Sequence, residues 1–305
     1  MLGHKTPLAA RILRYREIYL IMLPGLIFFL IFRITPLFGR VMAFMDYSIV
    51  RGFEGSPWVG FKHFERFFTS PDFWVLTRNT FLISGLRLLF GFPVPIIFSL
   101  FLNDYRSQTT KRILQSTIYL PHFVSWPVVA SLTILLLAPD TGPLNIIVER
   151  ITGESIFFLI DEQYFRPLLV AQGIWKEAGW GTVIYLAALA NVDPGLYESA
   201  MIDGANRVQR TVHITLPALF STAIILFILQ LGRMVNENFQ QIFLMLTPLT
   251  YDVGDVYETF VYRMGLQDGR FSLSTAVGTF KAVVAFIMIM ASDFVIKKTG
   301  ARGVV

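Results

Sequence analysis

Charged side chains occur inside apolar stretches of this sequence, where an ionised group costs free energy unless it has a partner or faces water. Five cations and two acids fall there: Arg78, Arg87, Lys176, Glu177, Arg233, Glu237 and Lys281. One interpretation pairs Lys176 or Lys281 with Glu177. It also pairs Arg233 with Glu237, at helical i, i+4 spacing. The other interpretation is that surplus cations contact ligand carboxylates, because a dehydrated carboxylate needs a compensating charge.

Aromatic and amide side chains accompany these charges. Trp175 and Trp180 present flat faces that can stack on a ligand ring, although tryptophan also packs between helices. Amides cluster near the outer end of the fifth apolar stretch, where they can bind a ligand or hold helices together. These amides are Asn236, Asn238, Gln240 and Gln241.

Motifs for catalysis are absent from the sequence. No G-x-x-x-x-G-K-[ST] loop is present to hold nucleotide phosphates, and neither an H-E-x-x-H motif nor a G-x-S-x-G elbow occurs. The lack of cysteine excludes disulfides and thiolate metal sites, and the four histidines are scattered. We therefore expect a chain that is not an enzyme and holds no metal or cofactor of its own.

The composition is that of an integral membrane protein. Of the 305 residues, 54% are hydrophobic and only 15% are charged, against roughly 25% charged in a soluble domain. The net charge of +5 comes from cations beside apolar stretches, so no nucleic-acid partner is expected. Membrane lipids are the expected surroundings.

Six apolar stretches are long enough to cross a bilayer as helices. They cover residues 18–42, 78–102, 116–138, 167–191, 217–236 and 273–296. With both ends in the cytoplasm, twelve Lys and Arg residues lie inside and seven outside, which favours this orientation. We therefore predict an all-α bundle of six transmembrane helices. Residues 1–17 form a cytoplasmic segment and residues 18–305 one membrane domain.

The outer segment 51–77 mixes charges with Trp58, Trp74 and several phenylalanines. Aromatic residues at this depth commonly form an interfacial belt. A docking surface for an external partner is the alternative.

The inner loop 191–216 between the fourth and fifth spans predicts two short helices. Asp193 can cap the first helix, with Pro194 in its first turn. Gly204 breaks that helix, because glycine accepts a positive φ without steric cost. A second helix is predicted from about Ala205 toward Pro217, where the fifth span begins. The loop is either a protruding knob or an ordinary amphipathic connector.

The same loop resembles the signature of permeases in binding-protein-dependent, ATP-driven importers. That signature is Glu-Ala-Ala, three residues, Gly, nine residues, Ile, one residue, Leu-Pro. This chain keeps every spacing and departs from it only at Ser199. The resemblance implies a coupling helix that inserts into an ATPase subunit. The implied coupling residues are Tyr197, Glu198, Ser199, Ala200, Asp203, Gly204, Ala205, Ile214, Leu216 and Pro217.

Other segments extend the resemblance from about residue 18 to the end. Residues 58–81 are similar to the maltose-type sugar permeases, and 248–266 and 269–284 to a subgroup that imports alginate- and pectin-derived oligosaccharides. The implied fold is the type I importer bundle in a bacterial cytoplasmic membrane. The implied partners are a second homologous permease, an ATPase dimer that holds ATP and Mg, and an extracytoplasmic binding protein.

The resemblance sharpens the hypothesis about the buried charges. A cationic path suits uronic-acid sugars, with Lys176, Arg233 or Lys281 on the carboxylates and Trp175 and Trp180 on the rings. Glu177 and Asn236 belong to the same predicted path. Import of neutral oligosaccharides is the alternative within this class. An intramembrane glycan-processing enzyme and an ion-coupled transporter with inverted repeats are less favoured, since the sequence shows neither acid pairs nor such repeats.

Overall fold

The computed structural model describes residues 15–105, 107–235 and 239–298. These residues form helices, and the only β-type pairings among them are two isolated bridges, Met45 with Trp58 and Ser48 with Gly52. The predicted all-α class is confirmed. The main helices are α1 Arg16–Phe44, α2 Lys62–Thr69, α3 Pro71–Asn103, α4 Gln108–Phe123, α5 Trp126–Leu137, α6 Pro143–Thr152, α7 Glu162–Leu189, α8 Pro194–Ile202, α9 Arg207–Arg233, α10 Phe239–Met245, α11 Tyr251–Gly254, α12 Tyr257–Tyr262 and α13 Phe271–Lys298.

Five of these units are long and apolar enough to cross a membrane. They are α1, α3, α9, α13 and the bent pair formed by α4 and α5. The 28-residue helix α7 covers the predicted fourth span, but it carries Arg166, Lys176 and Glu177 and is therefore less apolar. The six predicted spans thus each correspond to a helix or a helix pair.

Two of the predicted spans differ from the structure. The third is broken by 99° between Phe123 and Trp126, so that α4 and α5 run in different directions. The fifth begins ten residues earlier than expected, at Arg207, and Pro217 lies inside a continuous helix. A π turn over Thr211–Thr215, closed by Leu216 N–H to Thr211 O, precedes that proline. Such a turn accommodates a ring that would otherwise clash with the preceding helical turn.

Long-range hydrogen bonds join span ends that are predicted to lie on the same side of the membrane. Asp104 after α3 binds Arg207 at the start of α9, both on the predicted inner side. Tyr47 N–H donates to Ser272 Oγ at 2.9 Å, and both residues lie at the predicted outer side. The fold therefore joins inner ends with inner ends and outer ends with outer ends.

The core lies between α3, α7, α9, α12 and α13, and α1 stands apart from it. Buried side chains such as Phe67, Tyr257, Phe260 and Val277 pack where α2, α12 and α13 meet. By contrast, none of the most apolar part of α1 is buried. Only the last turn of α1, Gly39–Phe44, packs on α13. Most of the first span therefore presents its apolar surface to something other than this chain.

The outer segment after α1 is held by an ion pair and by stacked rings. Lys62 Nζ lies 2.7 Å from Asp46 Oδ2, and this hydrogen bond holds the pKa of Asp46 below its ordinary value. The Trp58 ring stacks on Phe44 at 5.7 Å. Trp58 and Trp74 are 64% and 71% exposed, which both an interfacial belt and a docking surface require.

Candidate functional site

The inner loop folds as the predicted pair of helices around a glycine turn. Asp193 Oδ1 accepts from Gly195 N–H at 2.9 Å and caps α8, and Pro194 occupies the first turn. After Ile202 the chain passes through Asp203 into Gly204, whose φ of +78° lies in the left-handed region. Residues other than glycine rarely adopt this conformation. Gly204 is therefore the turn residue, as the sequence predicted.

The second helix begins with a cap that the prediction missed. Asn206 Oδ1 accepts from Gln209 N–H at 2.9 Å, while Gln209 Oε1 accepts from Asn206 N–H at 2.8 Å. This reciprocal capping box satisfies two donors that the first helical turn would otherwise leave free. The spacing Asn-x-x-Gln was the signal, and it places the helix start at Arg207.

Two contacts fix the loop to the membrane domain. Tyr197 Oη lies 3.1 Å from Thr215 Oγ1, which ties α8 to α9. The Arg207 guanidinium forms an ion pair with Asp104 and also donates to the Asp104 carbonyl oxygen at 2.8 Å. The loop is thus tied both to α9 and to the inner end of α3.

Replacing Tyr197 with phenylalanine tests the first of these braces. The loss of one hydrogen bond should lower the free energy of unfolding by about 0.5–1.5 kcal/mol, since Thr215 is only 4% exposed. A cycle of Tyr197→Phe, Thr215→Val and the double variant, measured by thermal unfolding in detergent, should be non-additive. Strictly additive effects would show that the two hydroxyls do not interact.

The loop carries apolar side chains on its surface. Leu196, Met201, Ile202 and Val208 are 53%, 52%, 87% and 69% exposed. Four such residues on one short segment form a surface suited to another protein. Of the predicted coupling residues, Glu198, Ser199, Asp203, Gly204, Leu216 and Pro217 are exposed and Tyr197, Ala200, Ala205 and Ile214 are half-buried.

Lys176 binds the broken third span rather than an acid. Its side chain is 6% exposed, and Nζ donates to the carbonyl oxygens of His122 and Val124, each at 2.6 Å. The ammonium group also lies 5.5 Å from the ring centroid of Trp126. These carbonyls sit at the break between α4 and α5. Lys176 thus supplies the hydrogen bonds that the interrupted helix cannot, and the predicted pairing with Glu177 is wrong.

Glu177 instead pairs with His122 across the same junction, at 3.2 Å from Nδ1. The His122 ring stacks on Trp180 at 4.8 Å with an interplanar angle of 9°. One face of Trp180 is therefore covered by protein. Trp175 and Trp180 are nevertheless 50% and 51% exposed, and each retains a free surface.

Gly179 allows α7 and α4 to approach closely at this junction. A Cβ atom at this position would lie 2.0 Å from the carbonyl oxygen of Ile118. No side chain fits there, because the obstacle is backbone. The sequence offered no signal for this requirement beyond the glycine itself.

Lys281 forms an ion pair with Glu258, which joins α13 to α12. Pairing of Lys281 with Glu177, one of the sequence interpretations, is therefore wrong. A cavity of about 390 Å³ adjoins this ion pair, with Arg40 and Phe286 also in its lining. Lys281 thus lines an open space, as a path residue would, but its charge is already matched.

Arg233, the last residue of α9, is exposed. The predicted site residue Asn236, together with Glu237 and Asn238, lies outside the described residues. Gln241 is buried and donates to Leu169 O at 2.8 Å and to Gln172 Oε1 at 2.9 Å. For Gln241, the interpretation as a bond between helices is therefore confirmed.

A polar network that the sequence did not predict holds α11 against the outer ends of α3 and α7. Asn79 Nδ2 donates to the carbonyl oxygens of Asp252 and Asp255, each at 3.1 Å. Arg166 donates to Asn79 Oδ1 at 2.8 Å and to Val253 O at 3.0 Å. The segment that follows the fifth span is therefore fixed by side chains from two other spans.

Comparison with known sequences identifies relatives over nearly the whole chain. The family described as "Binding-protein-dependent transport system inner membrane component" matches residues 91–300. "Protein LplB" of Bacillus subtilis is 48% identical over 96% of this chain and 92% of that protein. The "polygalacturonan/rhamnogalacturonan transport system permease protein YteP" of the same organism is 45% identical over 97% of this chain and 92% of that protein.

Comparison with solved structures gives the same fold. A chain from a bacterial alginate ABC transporter, solved with an alginate pentasaccharide-bound periplasmic protein, superposes with a TM-score of 0.90. It is 39% identical in sequence, with 97% of this chain and 99% of that chain covered. A second structure, of a bacterial ABC transporter involved in import of the acidic polysaccharide alginate, gives a TM-score of 0.88 at 40% identity, with 94% and 97% covered.

Proposed function

The chain belongs to the family of binding-protein-dependent transport system inner membrane components, and we propose that it carries acidic oligosaccharides into the cytoplasm. It is a multi-pass protein of the bacterial inner membrane and a permease subunit of an ATP-binding-cassette sugar importer. The observation that carries the proposed mechanism is the inner loop. It is capped, turned at Gly204, braced to two spans and apolar on its surface.

ATP hydrolysis belongs to a partner in this proposal. A dimer of ATPase subunits binds ATP and Mg, and α8 inserts into one of them as the coupling helix. When the ATPases close, the loop moves with them. The braces at Tyr197 and Arg207 pass that movement to α9 and α3, and the spans alternate between outward and inward access.

A second, homologous permease completes the path. The uncovered surface of α1 supports this partner: its apolar side chains are exposed along the span, and only its last turn packs on this chain. Lipid covers such a helix in part. A second permease subunit would bury the apolar surface of α1. The two bundles together would enclose the path for the sugar. An extracytoplasmic binding protein delivers the sugar.

Acidic substrates are favoured chiefly by the relatives. One relative is named for polygalacturonan and rhamnogalacturonan, and the solved structures are described as alginate transporters. The cations give less support than the sequence predicted, because Lys176 and Lys281 have partners within the chain. We propose Arg233, Asn236 and the free faces of Trp175 and Trp180 as sugar contacts, with Lys176, Glu177 and Lys281 shaping the path around them.

Substrate class is tested by stimulation of ATP hydrolysis in the reconstituted complex. The complete importer and its binding protein are supplied with oligogalacturonides, oligoalginates or neutral oligosaccharides of matched length. We expect stimulation by at least one acidic series, because a ligand shifts a conformational equilibrium only when it binds one state more tightly than the other. Stimulation by neutral oligosaccharides alone would reject acidic substrates and leave the importer assignment in place.

A further inference from the structure

A cleft of about 300 Å³ opens between α8 and the first turns of α9. The small residues Ala200 and Gly204 leave it open, and no atom lies within 4 Å of the position that a Cβ on Gly204 would take. Asp203, Arg210 and His213 contribute polar groups to its lining. The cleft thus combines free space with charged groups.

Arg210 is the unusual member of this lining. Its Nε atom is buried and has no hydrogen-bond partner among the described residues. Arg207, one turn earlier, donates to Asp104 within the chain. A buried donor without an acceptor costs free energy, so the Arg210 guanidinium is incompletely satisfied in this chain alone.

The surroundings of the cleft indicate where the missing acceptor comes from. Leu196, Met201, Ile202 and Val208 are exposed on the same two helices, and they form the surface assigned to the ATPase contact. An arginine that is surrounded by apolar contacts and reaches an acceptor on the partner is a common energetic centre of protein interfaces. Guanidinium binds carboxylate most strongly, since two parallel N–H groups meet two oxygens.

We propose that a carboxylate side chain of the ATPase subunit enters this cleft and pairs with Arg210. The proposal rests on the proposed function and names the group that the ATPase brings to the loop. Asp203 lines the same cleft, and its like charge lowers the attraction for an incoming carboxylate without removing the Arg210 donors.

The test measures binding of purified ATPase subunits to the immobilised pair of permeases in detergent. Arg210→Gln should weaken binding by about tenfold to a hundredfold, as expected for loss of one member of a desolvated charge pair. The affinity of Arg210→Lys should lie between those of the wild type and Arg210→Gln, because lysine keeps the charge but loses the two parallel N–H donors of the guanidinium. Arg112→Gln is the matched control: it removes an exposed arginine from α4, on the other inner loop, and should leave affinity unchanged.

Two further measurements separate an interface role from a structural one. The Tm of the permease pair without ATPase should not fall in Arg210→Gln. The Arg210→Glu change should weaken binding of the ATPase subunit. An Asp→Arg or Glu→Arg change at one position of the ATPase groove should then restore that binding. Wild-type affinity in Arg210→Gln, or no restoring position in a complete scan, would overturn the proposal. ATP-dependent sugar uptake by the wild-type complex is measured in the same preparation. It tests the proposed function independently of the Arg210 contact.

Discussion

Replacing Gly204 with valine is expected to leave the permease folded in the membrane while ATP hydrolysis no longer drives transport. The residue has a φ of +78°, where a side chain costs about 1–3 kcal/mol of strain and a β-branched one is least tolerated. Space is not the obstacle, since nothing lies within 4 Å of the new Cβ. The strain is relieved when the turn opens, which moves α8 relative to α9. Coupled uptake should fall by about tenfold or more, as 1.4 kcal/mol corresponds to a factor of ten.

The control is Gly204→Asn at the same position, because asparagine tolerates the left-handed region better than other residues. This variant should retain most of the uptake. Both variants are compared for expression, Tm and sugar-stimulated ATP hydrolysis in proteoliposomes. Wild-type coupling in Gly204→Val would count against the assignment of the loop as the coupling element.

Replacing Lys176 with methionine is expected to destabilise the membrane domain more than any other change at the predicted path. Methionine fills a similar volume but leaves the His122 and Val124 carbonyl oxygens without their shared donor. Each partly buried, unsatisfied acceptor costs about 1–3 kcal/mol. We expect about 2–5 kcal/mol in total, and a fall in Tm of about 5–10 °C, measured by thermal unfolding of the purified permease.

Glu177→Gln is the neighbouring control for this prediction. Glu177 is half-exposed on its side chain and lies 3.2 Å from His122 Nδ1, and its charge also acts on the Arg87 guanidinium. Its loss should change the free energy of unfolding by about 1 kcal/mol or less. Suppose instead that the Tm of Lys176→Met is unchanged and that acidic sugars no longer stimulate ATP hydrolysis. That result would contradict the structural role of Lys176 and indicate that Lys176 contacts the substrate directly.

The sequence predicted the parts of this protein whose signals are local. Asp193, Pro194 and Gly204 each act within a few residues of themselves, and the structure places them as a cap, a first-turn proline and a left-handed turn. The apolar stretches likewise gave the spans, because length and hydropathy are properties of single segments. The start of α9 was predicted to within two residues, but its Asn206 and Gln209 capping box and its continuity through Pro217 were missed.

The parts that were mispredicted depend on distant segments. Lys176 and Lys281 were predicted to be surplus cations because their partners lie elsewhere in the chain. Lys176 binds the His122 and Val124 carbonyls, and Lys281 pairs with Glu258. The 99° break between α4 and α5 creates acceptors that no sequence pattern announces. A count of charges within spans therefore overestimates the cations free to meet a substrate.

The most direct test of the account is uptake of a labelled acidic oligosaccharide by proteoliposomes. The permease pair is reconstituted with and without its ATPase subunits, and the binding protein and ATP are supplied on their respective sides. The account predicts uptake only when ATPase, ATP and binding protein are all present, and its loss in Gly204→Val. Uptake by the permease without ATPase would contradict it, because the chain would then transport without a coupled partner.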